Sequence, residues 1–308
     1  MTRTYRAVQF SEYGEPDVLR TVELDVPPPG PGQVRVSVRA AGVNPMDWKL
    51  RSGAMAQFMP VDLPAVPGGE VAGVVDAVGP GVTGHAVGDE VLGSIGTGGY
   101  AALALAPAEM LVRKPASIPW ETAAALPVAG STSLYLLELL GLSRGDTLLV
   151  DGAAGGVGTF AVQAARHQGL NVIGTASARN HDYLRSLGVV PVAYGEKLAE
   201  RVREVAPDGI AGALDLAGAG SLAELLDLTG SADRVLTIAD ASAAESGVRF
   251  VAAPAEEISR LLGAAAELVA DGHVTLTVSH AYPLAEAADA HRESQTGHAR
   301  GKLVVLPG

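Results

Sequence analysis

The sequence predicts an α/β protein in two parts, a β-rich first third followed by a doubly wound parallel sheet, and three observations carry that reading. Short β-prone runs separated by turns fill residues 4–92. From about Trp120, short, wholly apolar strands alternate with helical stretches. One of those strands runs straight into a glycine-dense turn that opens a helix. At 308 residues, roughly two domains of chain, each part has room for a buried core.

In chain order, residues 4–10 read as the first strand, and Val34-Arg35-Val36-Ser37-Val38-Arg39 alternates apolar with polar side chains, the period of a half-buried strand. Residues 71–78 and 90–92 follow. Pro27-Pro28-Pro29-Gly30-Pro31-Gly32 cannot feed a sheet ladder, because proline lacks the donor, and is a surface connection. This part predicts a barrel or irregular sheet. Residues 121–140 carry apolar side chains at helical spacing, and Thr147-Leu148-Leu149-Val150 is a strand of the buried parallel kind. Residues 171–174, 213–216 and 234–238 are further strands, with helices near 157–167, 181–187 and 198–205. A helix at 284–293 and a strand at 302–306 close the chain, and pattern alone assigns them to neither part. Residues 247–254, Gly-Val-Arg-Phe-Val-Ala-Ala-Pro, read as an edge strand whose pairing with its twin would make a homodimer.

Composition excludes several classes. Lys+Arg 22 against Asp+Glu 34 leaves a net charge of −12, so a nucleic-acid backbone would be repelled. With no cysteine there are no disulfides, thiolate nucleophiles or cysteine zinc sites, and redox chemistry needs a borrowed cofactor. The N-terminal residues hold no apolar signal core, and the uncharged run 91–108 is broken by glycines and Pro107, which predicts a soluble cytoplasmic protein without a membrane partner. Gly 38 of 308 exceeds the average of about 7% and points to many tight turns.

Directly after the 147–150 strand stands Asp151-Gly152-Ala153-Ala154-Gly155-Gly156-Val157-Gly158. Glycines let backbone approach a pyrophosphate and let the helix sit against the sheet, while free N–H groups and the dipole at the helix start favour the anion. Gly155, Gly156, Val157 and Gly158 are therefore cofactor-binding candidates. Ala153 takes the first glycine position of the dinucleotide fingerprint, and a merely tight strand-to-helix turn is the bland alternative. About 20 residues on, an NAD site calls for an acid on the ribose 2′-hydroxyl. Here stand Thr175-Ala176-Ser177-Ala178-Arg179-Asn180, with no carboxylate before Asp182. Ser177 and Arg179 suit a 2′-phosphate through a hydroxyl and a charged fork, so the predicted cofactor is NADPH; the alternative for Arg179 is a solvated helix start.

Seven motifs stand in order: Ala41-Gly42-Val43-Asn44-Pro45-Met46-Asp47, Gly69-Glu70-Val71-Ala72-Gly73-Val74-Val75, Val87-Gly88-Asp89-Glu90-Val91, Gly98-Gly99-Tyr100-Ala101, residues 123–132, the 152–158 turn and Gly301-Lys302-Leu303-Val304-Val305-Leu306. On these the chain resembles the zinc-free quinone oxidoreductases of the medium-chain dehydrogenase/reductase superfamily, a zeta-crystallin-like group similar also to the alkenal and enone reductases. The resemblance implies a GroES-like β-rich catalytic domain at 1–126, with 263–308 returning to it, a Rossmann domain at 127–262, and a cleft for NADPH. It places Asn44 near the nicotinamide, the Thr132 hydroxyl by the nicotinamide ribose or carboxamide, and Tyr194 against the adenosine end. Ile238, Ala239 and Asp240 would pass over the cofactor, and Lys302 of the closing motif would contact it. Asn44 and Asp47 equally suit a turn and helix start, and Thr132 an ordinary helical position.

Zinc relatives in that superfamily carry a histidine beside the glutamate matching Glu70. Gly69 stands there, and the seven histidines show no ligand spacing, which predicts a metal-free enzyme. Hydride delivered to a quinone or an enone β-carbon leaves negative charge on oxygen, and a donor aimed at that oxygen lowers the barrier. Lys49, one of only four lysines and matching the lysine of the alkenal and enone reductases, is the candidate catalytic donor, with Asn44 the second. The expected function is NADPH-dependent reduction of quinones or α,β-unsaturated carbonyl compounds. The competing readings are a dedicated enoyl reductase of a biosynthetic pathway and a non-catalytic NADPH-binding sensor or structural protein.

Overall fold

A computed structural model describes residues 3–308, folded as two compact units. The first takes in the chain up to Val128 together with residues 258–270 and 277–308; the second comprises 129–257 and 271–276. The expected edge at 262/263 falls inside a continuous helix, Ala255–Ala270.

Along the chain the first unit has strands β1 (Thr4–Gln9), β2 (Arg20–Asp25) and β3 (Gln33–Val43), helix α1 (Pro45–Ser52), and strands β4 (Glu70–Val78), β5 (Glu90–Ser94), β6 (Leu103–Pro107) and β7 (Leu111–Arg113). Helix α2 (Trp120–Leu140) follows; it is apolar and long enough to cross a membrane, but most of it is buried within the fold. The second unit continues with β8 (Thr147–Asp151), α3 (Gly156–His167), β9 (Asn171–Thr175), α4 (His181–Ser186), β10 (Val190–Val192), α5 (Leu198–Val205), β11 (Gly212–Asp215), α6 (Leu222–Thr229), β12 (Val235–Thr237) and β13 (Arg249–Phe250). Helix α7 (Ala255–Ala270), β14 (Val278–Pro283), α8 (Ala287–Gln295) and β15 (Lys302–Leu306) complete the chain.

In the first unit seven strands form one sheet in the order β14-β15-β3-β4-β5-β7, with β6 also on β3. The alternation seen in the sequence places Val34, Val36 and Val38 in the core. Strand β3 is the organising element. Along one edge it pairs with β4; along the other its first half, 33–37, pairs with β6 and its second, 41–43, with β15. Register shifts after Arg35 and Val38 bend it between the two partners. The end of β3, the start of β4 and the closing strand β15 thereby meet at one place.

The second unit is a six-stranded parallel sheet in the order β10-β9-β8-β11-β12-β13. Strands β8 and β11 are buried throughout or nearly so, as their unbroken apolar runs require. From β8 the sheet grows in opposite directions toward β9 and β11, and a crevice opens at the carboxyl ends of strands where the order so reverses.

Two expectations are corrected, and one strand is added. The tail helix begins not at 284 but at Ala287, after a 3₁₀ turn at Leu284–Glu286. Of residues 247–254 only Arg249–Phe250 forms a strand, at the predicted sheet edge, because Gly247 sits at φ 69° and Pro254 cannot extend the ladder. Val190–Val192 is a strand carrying Pro191, tolerated because β10 is the opposite edge.

Candidate active site

The four central strands of the second unit all end on a polar residue: Thr175 on β9, Asp151 on β8, Asp215 on β11 and Thr237 on β12. Asp151 and Thr237 both stand in register with Asp215. Asp151 accepts the Ser221 hydroxyl at 2.5 Å and also the Thr175 hydroxyl, whose oxygen in turn accepts the Gly152 N–H at 3.1 Å. Asp215 accepts the Thr237 hydroxyl at 2.7 Å and the N–H groups of Ala217 and Gly218 at 3.1 and 2.8 Å. Thr237 Oγ1 then accepts the N–H groups of Ala239 and Asp240 at 3.1 and 3.0 Å. Each buried carboxylate is satisfied by hydroxyls and amides, and the loops at the ends of β8, β11 and β12 are pinned from below. Burial raises the Asp151 carboxyl above its ordinary range, opposed by the Ser221 and Thr175 hydrogen bonds. Sequence reasoning missed this row; its signal was a polar residue closing each apolar strand.

Helix α3 begins at Gly156 with Gly155 as N-cap, and no side chain caps it. A Cβ on Gly155 would meet only Gly152 O, at 3.5 Å, so the space before the first turn is open. A Cβ on Gly158 would stand 2.3 Å from Gly152 O and 2.7 Å from Ala153 Cα, so the helix is seated directly on the turn. An uncovered helix start with Arg166 and His167 at its far end fits a pyrophosphate held by Gly155, Gly156, Val157 and Gly158. Ser133 Oγ donates to Ala129 O and to Val157 O, at 2.6 and 2.9 Å, fastening α2 to this turn one residue from the half-buried Thr132.

Past the end of β9, Ser177 is half-buried and Arg179 exposed. Asp182, the nearest carboxylate in the chain, is exposed and paired with Arg185 at 2.6 Å. Tyr194 is 52% exposed after β10. Ile238, Ala239 and Asp240 follow β12; the Asp240 carboxylate accepts the hydroxyl and N–H of Ser242 at 2.6 and 2.9 Å, and these bonds lower its pKa.

In the first unit Asn44 is the N-cap of α1, yet the capping is done by Asp47, whose carboxylate accepts the Asn44 N–H at 2.8 Å and the Tyr100 hydroxyl at 3.2 Å. Burial pushes the Asp47 carboxyl up to about 6, with the Asn44 hydrogen bond opposing. The Asn44 side chain is engaged elsewhere, with Glu70 and Lys302. Lys302, expected at the cofactor, is buried, its ammonium 2.6 Å from Asn44 Oδ1 and 2.8 Å from Glu70 Oε2. Lys49 lies half-buried one turn along α1, its ammonium 5.7 Å from the Trp48 ring centroid. Among the described residues no group of three or more His, Asp or Glu side chains is placed to hold a metal ion.

Residues 30–116 match the alcohol dehydrogenase GroES-like domain, and residues 187–305 the zinc-binding dehydrogenase family. A quinone oxidoreductase of Pseudomonas aeruginosa is 34% identical over 331 residues, covering 98% of this chain and 99% of its own. The solved structure of Escherichia coli quinone oxidoreductase complexed with NADPH superimposes with a TM-score of 0.87 at 26% identity, over 98% of this chain and 100% of that one. A stretch of the pikromycin polyketide synthase component PikAII of Streptomyces venezuelae is 45% identical over 163 residues, which is 53% of this chain and 4% of that protein. Sequence identity along nearly the whole length, on a GroES-like unit joined to a Rossmann-type parallel sheet, makes the chain a member of the quinone oxidoreductase family of the medium-chain dehydrogenase/reductase superfamily.

Proposed function

We propose that the protein is an NADPH-dependent, metal-free reductase of quinones or α,β-unsaturated carbonyl compounds. The observation that carries it is the uncapped, glycine-seated start of α3, followed one strand later by Ser177 and Arg179 where an NAD enzyme keeps a carboxylate. When bound, NADPH supplies the hydride. The second unit holds its phosphates at α3 and its 2′-phosphate at Ser177 and Arg179, with Thr132, Tyr194 and the 238–240 loop as further contacts. In the first unit Lys49 and Asn44 offer donors to the oxygen that gains negative charge, and solvent supplies the final proton.

Arg179→Ala should weaken NADPH about 10- to 100-fold, the worth of ~1.5–3 kcal/mol for a lost charged partner, and leave NADH nearly unchanged. Fluorescence titration with both cofactors decides it, and equal losses would sink the 2′-phosphate assignment. Lys49→Met should lower kcat at least tenfold with quinone and enone substrates while NADPH affinity holds, because its partner charge develops only as hydride arrives. If affinity collapses and the saturated rate stays, Lys49 is a cofactor ligand instead.

The polyketide synthase match favours a second reading within the same chemistry, enoyl reduction of one biosynthetic intermediate. A steady-state panel of quinones, simple enones and α,β-unsaturated thioesters separates the two by kcat/KM, and turnover of none of them would refute both. We also propose a homodimer through the β13 edge, where Phe250 is 53% exposed. A monomer by light scattering at micromolar concentration would refute it.

A further inference from the structure

Lys302, Asn44 and Glu70 close a ring of three hydrogen bonds within the first unit. Lys302 Nζ donates to Asn44 Oδ1 at 2.6 Å and to Glu70 Oε2 at 2.8 Å, and Asn44 Nδ2 donates to that same Oε2 at 2.6 Å. Strand register builds it: Gly42, two residues before Asn44, stands opposite Glu70 on β4 and opposite Val304 on β15. A Cβ on Gly42 would lie 2.2 Å from Glu70 Oε2 and 2.5 Å from Ala124 O, so glycine alone leaves the carboxylate its place. The other oxygen of Glu70 accepts the Val128 N–H just past Pro127 of α2. Lys302 and Glu70 are 5% and 0% exposed, so the ring is shielded from water.

The ring decides which way round the Asn44 amide stands. Turned over, its oxygen would face the Glu70 carboxylate and its NH₂ the ammonium, two repulsions in a low-dielectric setting. An amide nitrogen carries two hydrogens and an ammonium three, and the ring consumes one of the former and two of the latter. What remains is one N–H on Asn44 and one on Lys302, both donors. We propose that Lys302 and Glu70 are positioning residues that lock Asn44 as a hydrogen-bond donor toward an oxygen that gains negative charge during reduction. This rests on the reductase reading given above, and it assigns Lys302 a task other than holding the cofactor.

Lys302→Met alone strands a buried carboxylate, so the useful variant is Lys302→Met with Glu70→Gln, which removes both charges together. With saturating NADPH its kcat should fall about tenfold while NADPH affinity by fluorescence changes less than threefold. In an Asn44→Ala background the same pair should cost less than twofold, since residues acting through a common partner are not additive. A full tenfold cost in that background, or lost NADPH affinity at an unchanged kcat, would overturn the proposal. A second readout needs no turnover: solvent exchange of the Asn44 side-chain NH₂ in ¹⁵N spectra should be at least tenfold faster in the double variant than in the native protein. Equal exchange rates overturn the lock even if every quinone and enone fails, an outcome that by itself refutes only the reductase reading.

Discussion

Gly158→Ala should leave a protein that has lost NADPH affinity by 100-fold or more and 1–3 kcal/mol of stability. The added methyl would meet Gly152 O at 2.3 Å and Ala153 Cα at 2.7 Å, both backbone atoms of the turn on which α3 sits, so neither can swing aside. The helix must lift, and its first-turn N–H groups leave the position from which they would face the phosphates of the proposed cofactor. Gly155→Ala makes the contrast. Its methyl finds only Gly152 O at 3.5 Å, an ordinary contact, so the fold should keep its stability while a methyl projects into the space assigned to the pyrophosphate. Thermal unfolding and NADPH titration of the two variants separate seating from binding. Unchanged affinity in a folded Gly158→Ala protein would refute the site.

His291 should make the protein acid-sensitive. It is fully buried, neither ring nitrogen has a partner, and its ring packs at 65° to that of Tyr100. Burial, with the nearby Arg51 charge, lowers its pKa from 6.5 to about 3. The unfolded chain takes up a proton that the folded one refuses, so stability is full above pH 6.5 and falls toward pH 3 by up to ~1.4 kcal/mol per pH unit, roughly 4–5 kcal/mol in all. Asp47 works in the opposite sense: raised from 3.8 to about 6, it holds a proton the unfolded chain gives up, and stability rises as pH falls across that interval. The two must therefore be separated by mutation. From pH 7.5 to 5, His291→Leu should gain about 2 kcal/mol on the native protein in urea unfolding. Parallel pH profiles for the two would refute the assignment.

Elements with a clear burial pattern, continuous in the central strands and one-sided in α5, were legible in the sequence. Unbroken apolar runs marked β8 and β11 to within a residue, and α5 was placed at its observed bounds, Leu198–Val205. The three-residue β7 and the proline-bearing β10 escaped, and so did the six-residue β2 and the sixteen-residue helix α7. Within the site, the glycine turn was plain because its chemistry is local, and Asp47 was read as a cap for the same reason. The partnership of Glu70 with Lys302 spans 232 positions and depends on how β15 docks against β3. No local periodicity reports such a contact. Lys302 was accordingly read from its motif as a cofactor contact, and its bonds to Asn44 and Glu70 went unseen.

The switch of β3 from β6 to β15 also orders events during synthesis. Asn44 and Glu70 leave the ribosome early, 26 positions apart, but the ammonium that neutralises Glu70 follows Asn44 by 258. Every residue of the parallel sheet is translated in between. At roughly 5–20 residues per second the carboxylate must wait on the order of ten seconds or more for its counter-ion, and a lone carboxylate is not readily buried. The first unit of the chain to be made is thus the last to be completed, when β15 arrives.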